Sequence, residues 1–342
     1  MPQPAVSIGL LLPTREVVMA QGAPDLSKII DLAVRAEELG FDSVWVGDSI
    51  LARPRLEAMT TLAAVASRTR QVQLGTAVLL PALRHPVVLA NEAANVDILS
   101  HGRLILGLGI ATKNRSIERE FTACGVAFGH RIGIFEEGVA LMRRLWREPS
   151  VTFNGRHFQL QDVSLGLRPI QTAGIPLWIA GSVEQAQRRV LRLGDGWFPN
   201  PQSPEVFAAQ WAQMQGLAQE MGQEAQTLPR CVYTTLNVNN DVAQAQREMQ
   251  AFVEGYYGAP YDVMSRQQGL CAGTAERCAA WLNAFVAAGA QTLVLRFGGP
   301  DQFGQLERCV KDVLPQVHKS QVVHHGLAAA SRSVYKPNTP DL

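Results

Sequence analysis

Short apolar runs alternate along the chain with longer segments whose apolar positions return every three or four residues. The first pattern is that of buried strands and the second that of amphipathic helices, so their regular alternation marks βα units around a parallel sheet. The runs at residues 6–12, 43–46, 73–78, 103–108, 176–180, 196–198, 231–238 and 292–296 predict eight strands. Helices are predicted near residues 26–39, 58–66, 87–99 and 135–146, from Ser182 onward, and near 204–221, 242–256, 275–288 and 302–317. Gly40 follows the first helix, where a left-handed residue closes the last turn. Residues 109–134 read as a polar stretch and residues 258–273 as a loop. Residues 150–172 break the rhythm: Val151, Phe153, Phe158 and Leu160 flank Asn154-Gly155, a tight-turn dipeptide, which predicts an inserted β-hairpin.

Eight strands with interleaved helices predict a (β/α)8 barrel of the TIM type. An open doubly wound sheet is the alternative, disfavoured because no G-x-G-x-x-G follows the first strand. The expected division is a barrel over residues 1–318 and a disordered tail over residues 319–342, where the sequence turns polar and mixed.

Composition narrows the partners. With 342 residues, 47% of them hydrophobic, the chain can bury one large core. A net charge of +1 with acids and bases interspersed argues against a nucleic-acid or membrane surface. No apolar run is long enough to cross a bilayer, and the N-terminus lacks the basic n-region of a signal peptide. The five cysteines are scattered without a C-x-x-C pair, so a reducing cytoplasm is the expected location. The seven histidines form no H-x-x-x-H or H-E-x-x-H arrangement, so no metal is expected, and the absence of G-x-S-x-G argues against a hydrolase.

Candidate chemistry then gathers at strand ends, where barrel enzymes place their sites. Asp48 ends the second strand; it can bind a cofactor or handle a proton, or else cap a helix or pair with Arg53 or Arg55. Arg53 and Arg55 are candidates for a substrate carboxylate or an anionic coenzyme tail, against the alternative of a solvated basic loop. Gly181 permits close backbone approach, and Ser182 with Gln185 three residues on has the spacing of a capping box, a helix start suited to phosphate. Arg296 ends the last strand as a further substrate anchor, and Trp197 is a candidate aromatic wall, though large aromatics more often serve the core.

Several blocks resemble the bacterial-luciferase-like family of flavin-dependent oxidoreductases: Glu38 to Asp48 (ELGFDSVWVGD), Leu74 to Val78 (LGTAV) with Arg84-His85-Pro86, Ser100 to Gly109 (SHGRLILGLG), and Trp178 to Ser182 (WIAGS) with Arg192 to Trp197 (RLGDGW). They occur in the family's order and cover nearly all of the presumed barrel. The resemblance implies a flavin-type cofactor at the strand C-termini, with Thr76, Ala77 and Val78 forming a bulge, often with a non-proline cis peptide, against its ring. It further implies contacts from Gly109, Thr112 and Asn114, with Lys113 and Arg115 close by, and a phosphate contact from Gly181 and Ser182. A histidine often follows the acidic residue in this family; Ser49 stands there instead, a side chain that cannot titrate near neutrality, so Asp48 and Ser49 are candidates without an assigned catalytic role.

Three functions follow. The first is a monooxygenase that uses FMN, reduced by a separate flavin reductase, with oxygen on a small organic substrate. The alternative is hydride transfer by coenzyme F420 without oxygen, which the basic loop slightly favours. The third is a flavin-binding protein without activity or a barrel lyase, although no lysine stands at a strand end for Schiff-base chemistry. A homodimer packed through early helices is expected by analogy with relatives.

Overall fold

The computed structural model describes residues 6–20 and 23–317. The strands and helices run β1 (Ser7–Leu11), α1 (Glu16–Met19), α2 (Leu26–Glu38), β2 (Ser43–Val46), α3 (Ala58–Arg68), β3 (Gln73–Thr76), α4 (Pro86–Leu99), β4 (Leu104–Leu108), α5 (Arg115–Ala123) and α6 (Arg131–Arg147). A hairpin of β5 (Val151–Asn154) and β6 (Gln159–Val163) follows, then β7 (Leu177–Ala180), α7 (Glu184–Leu193), β8 (Gly196–Phe198) and α8 (Pro204–Glu220). The chain continues through β9 (Cys231–Val238), α9 (Val242–Tyr257), α10 (Tyr261–Ser265), β10 (Gly269–Gly273), α11 (Ala275–Ala287), β11 (Thr292–Phe297) and α12 (Gln302–Arg308).

These elements form a barrel of the (β/α)8 type. The sheet runs β10-β9-β11-β1-β2-β3-β4-β7-β8, and each neighbouring pair is parallel. Closure comes where Trp197 of β8 bridges Arg230 just before β9, its amide donating to the Pro229 carbonyl at 2.8 Å. The hairpin expected within residues 150–172 is antiparallel, and Glu137 of α6 accepts from the turn amides of Arg156 and His157.

Two segments depart from expectation. Residues 258–273 are not simply a loop: they hold α10 and a ninth parallel strand, β10, registered on Thr234–Val238 of β9. Only Leu270, Cys271 and Ala272 lie between its terminal glycines, so local pattern is weak and pairing with β9 decides the structure. The polar stretch 109–134 contains α5, which buries Phe121 and Glu120. The last predicted helix, 302–317, is α12 followed by a π-turn at Cys309–Val313 and a tight turn at Leu314–Gln316. The expected tail, residues 319–342, lies outside the described residues.

Every residue of β2, β4 and β11 is buried, as expected where one face packs on helices and the other fills the barrel. Inside, Trp45 meets Trp178 at 5.5 Å and Phe198 at 5.3 Å between ring centres. Glycines make room for these rings: a methyl at Gly9 would lie 2.6 Å from Trp45 Nε1, and one at Gly75 would overlap the Trp45 ring. These rings pack with Leu11, Ile105, Cys231 and Val294 in one buried cluster. No helix among the described residues is long and apolar enough to cross a membrane.

Candidate functional site

At the mouth lies a cavity of about 220 Å³, bordered by the C-terminal ends of β1, β2 and β11, Tyr233 of β9, the segments after β3 and β4, α5, and the end of α9. The backbone after β3 turns through Ala77 and Val78, whose peptide bond is cis, and both residues border the cavity. The lining also includes Asp48, Ser49, Arg53, Arg55, Thr112 and Arg296, so eight of the residues singled out in the sequence converge here.

Their partners revise several expected roles. Asp48 does not pair with Arg53 or Arg55. Its side chain, 3% exposed, accepts from both terminal nitrogens of Arg84 at 2.7 and 2.9 Å and from the Leu80 amide at 2.9 Å. Arg84 also reaches Glu57, the N-cap of α3, at 3.1 Å. Burial works against the Arg84 charge, but bonding to Asp48 outweighs it and holds the pKa above its ordinary value. Burial alone would raise Glu57; the amides of Thr60 and Met59 and the Arg84 charge instead hold it below the usual carboxylate range. This two-carboxylate, one-arginine network fixes β2 to the segment after β3.

Ser49 donates to Glu120 Oε1 at 2.9 Å and accepts from the Arg53 amide at 2.9 Å. Glu120 is fully buried on α5, and the same oxygen accepts from the amides of Ile50, Leu51 and Ala52. Its second oxygen, Oε2, has no hydrogen-bond partner although Glu120 borders the cavity. A buried carboxylate oxygen without a donor is costly and marks a place where a proton or a ligand donor would be held.

The far wall has a different character. Arg296 is 2% exposed and makes no ion pair; its guanidinium carbon lies 4.8 to 5.4 Å from the ring centres of Tyr233, Phe252, Tyr256 and Tyr257. It donates to Thr235 Oγ1, the Tyr257 hydroxyl and Gln268 Oε1 at 3.0, 3.0 and 3.1 Å. Arg53 stacks on Tyr257 at 4.8 Å and Arg15 on Tyr256 at 5.0 Å. Arg55 donates from Nε to the Arg53 carbonyl. Among the described residues none of these four arginines has a carboxylate within 4.0 Å. Burial, with Arg55 and Arg53 nearby, lowers the Arg15 pKa, and burial pushes the Tyr233 phenol well above its ordinary value.

Other expected contacts lie elsewhere. Thr76 is buried behind the cavity and donates to the Gly107 carbonyl at 2.8 Å. Gly109 backs Val78, where a methyl would come 2.6 Å from Val78 Cγ2. Asn114 caps α5, accepting from the Ile117 amide, and Lys113 is an exposed partner of Glu118. Ser182 is not a helix cap: α7 starts later, with Val183 as a cap that offers no side-chain bond, so the capping box does not form. Gly181 accepts from Trp197 Nε1 at 2.7 Å. Trp197 is fully buried, stacks on Phe207 and Trp211, and belongs to the outer core, not to the mouth. The residues that sequence reasoning missed are Glu120, Arg15 and the three tyrosines; Ile117 and Phe121, four apart, were the available signal for α5, and Tyr256-Tyr257 before Gly258 for the ring wall.

The model of a family described as luciferase-like monooxygenase matches residues 6–292. Among curated proteins, the F420-dependent glucose-6-phosphate dehydrogenase of Amycolatopsis mediterranei (strain U-32) is 37% identical over 179 residues, 49% of this chain and 52% of that protein. The chain spans about half the length of the curated relatives it matches. Among solved structures, an F420-dependent secondary alcohol dehydrogenase in complex with an F420-acetone adduct superimposes with a TM-score of 0.79 at 20% identity, covering 92% of this chain and 100% of the other. A monooxygenase from Streptomyces bottropensis does so with 0.76 at 22% identity, covering 91% and 100%. At these identities the structural likeness establishes the fold.

Proposed function

The chain belongs to the luciferase-like monooxygenase family, and from that membership we propose an oxidoreductase that transfers a hydride between coenzyme F420 and a small organic substrate. The observation that carries this reading is the charge of the cavity wall: Arg53, Arg55 and Arg296 border the cavity, Arg15 stacks on its Tyr256, and among the described residues none of the four has a carboxylate within 4.0 Å, while Leu11, Ala77 and Val78 make an apolar side. Arginine forks suit carboxylates and phosphates, so the rim at Arg53 and Arg55 fits an anionic coenzyme tail, while the apolar side fits a flat ring. The F420-dependent relatives favour this coenzyme over FMN, the first expectation from the sequence.

When bound, the coenzyme supplies a carbon centre that accepts or gives up the hydride. This chain's residues do the rest. Ala77, Val78 and Leu11 provide a surface from which water is excluded, and Arg53 and Arg55 hold negative charge at the rim. Glu120 holds or moves the substrate hydroxyl proton through Oε2, while Ser49 and the amides of Ile50 and Leu51 fix its other oxygen. Ser49 is thus a positioning residue in the place where the family often has a histidine.

The test is a titration of purified protein with F420, FMN and reduced FMN, followed by fluorescence or calorimetry. F420 is expected to bind at least about tenfold more tightly than either flavin, a difference of about 1.4 kcal/mol. Tighter binding of reduced FMN, with an oxygen-dependent absorbance change, would return the protein to the monooxygenase reading and its reductase partner.

A further inference from the structure

We propose that Arg296 is the anchor for a substrate carboxylate, so that the small organic substrate is itself an acid. This rests on the coenzyme reading above only for the reaction; the binding site is argued from the wall itself. A guanidinium carries five N–H donors. Three are used, one each from Nε, Nη1 and Nη2, toward Thr235, Tyr257 and Gln268. One donor therefore remains on each terminal nitrogen, which is the number that the two oxygens of a carboxylate would take.

All three acceptors are neutral, and so are the four rings around the guanidinium. Cation–π contacts attract the charge without neutralising it. Glu16, the carboxylate whose charge is felt most at this position, makes no ion pair with it. A side chain 2% exposed thus keeps a full positive charge at the border of a cavity. Charges in this position are normally paired, because an uncompensated buried ion is costly. The missing counter-charge is supplied by the ligand. The rings also hold the planar guanidinium in place, so little rotamer freedom is lost on binding. Arg296 comes from the barrel wall and not from a mobile loop, which suits a group that must orient a substrate.

The experiment uses the full chain, with and without F420, titrated by calorimetry at constant ionic strength with butyrate, its neutral isostere butyramide, and inorganic phosphate. Butyrate is expected to bind with a Kd of about 1 mM, and butyramide at least about tenfold more weakly. Arg296→Met should lose butyrate binding by tenfold or more with butyramide unchanged. Arg296→Lys, which keeps the charge but not the paired donors, should fall between. The proposal is overturned if butyramide binds as well as butyrate, if Arg296→Met or Arg296→Lys binds butyrate as the unaltered protein does, or if phosphate binds more tightly than butyrate. Should Arg296→Met not fold, judged by its circular dichroism, the Lys variant decides alone. Arg296-dependent butyrate binding in a protein that ignores F420 would sustain the anchor and sink only the coenzyme reading.

Discussion

The two walls of the mouth treat charge in opposite ways. On the side of β2, α3 and α5, Asp48 and Glu57 are bridged by Arg84, and a hydroxyl and backbone amides surround one oxygen of Glu120, whose second oxygen is left without a donor. On the side of β9, α9 and β11, Arg15, Arg53 and Arg296 lean on tyrosine rings, with no carboxylate within 4.0 Å among the described residues. A matched buried network is rigid and specific and is expensive to break. A cationic wall held by neutral groups is stable enough to fold yet retains an attraction for an anion from outside. The contrast divides the site into a scaffold and a receptor.

The largest expected effect breaks the scaffold. Asp48→Ala leaves Arg84 buried without its main partner, and loss of one member of such a pair costs about 3 to 5 kcal/mol. Arg53→Ala on the opposite wall should change stability by no more than about 0.5 kcal/mol, since it removes only a partly exposed stacking contact. Thermal or urea unfolding of the two variants side by side checks this. Equal losses would erase the distinction between the walls.

A smaller effect is expected at Glu120. Glu120→Ala strands the buried Ser49 hydroxyl and the part-buried amides of Ile50 and Leu51, for about 3 kcal/mol in total. Glu120→Gln retains a carbonyl oxygen as acceptor and should lose only about 1 kcal/mol. If the Gln variant is as damaged as the Ala variant, the charge matters more than the hydrogen-bond count, and the loop 49–52 is held electrostatically.

How much of this was legible depended on whether the cause was local. The runs at Ser43–Val46, Gly196–Phe198 and Cys231–Val238 became strands with those same bounds, because each is rich in the β-branched and aromatic residues that fit a pleated sheet. β10 escaped, since glycines bound its three apolar residues and its reason for being extended is β9, over thirty residues away. The same holds in the site. Asp48, Ala77, Val78 and Arg296 were visible as strand ends, and strand ends make the mouth. That Asp48 meets Arg84, or Ser49 meets Glu120 seventy-one residues on, is a property of the assembled barrel. Trp197 and Ser182 failed for a related reason: strand-end position does not say which way a side chain points or where the next helix starts.

The smallest effect concerns pH and lies on the receptor wall. Burial raises the pKa of Glu16 above its ordinary 4.5, and the charges of Arg296 and Arg55 offset only part of that. The folded protein therefore holds this proton more tightly than the unfolded chain does. Between the two pKa values the native state binds more protons, so stability falls as pH rises through that window and the penalty is constant above it. Glu16→Gln mimics the protonated carboxyl. It should match the unaltered protein at about pH 4, below the window, and exceed it by about 1 to 2 °C in Tm at neutral pH. Melting curves for both proteins across this range supply the measurement. Parallel profiles would mean that Arg296 and Arg55 already neutralise Glu16, and the positive surplus of the receptor wall would have to be counted one charge lower.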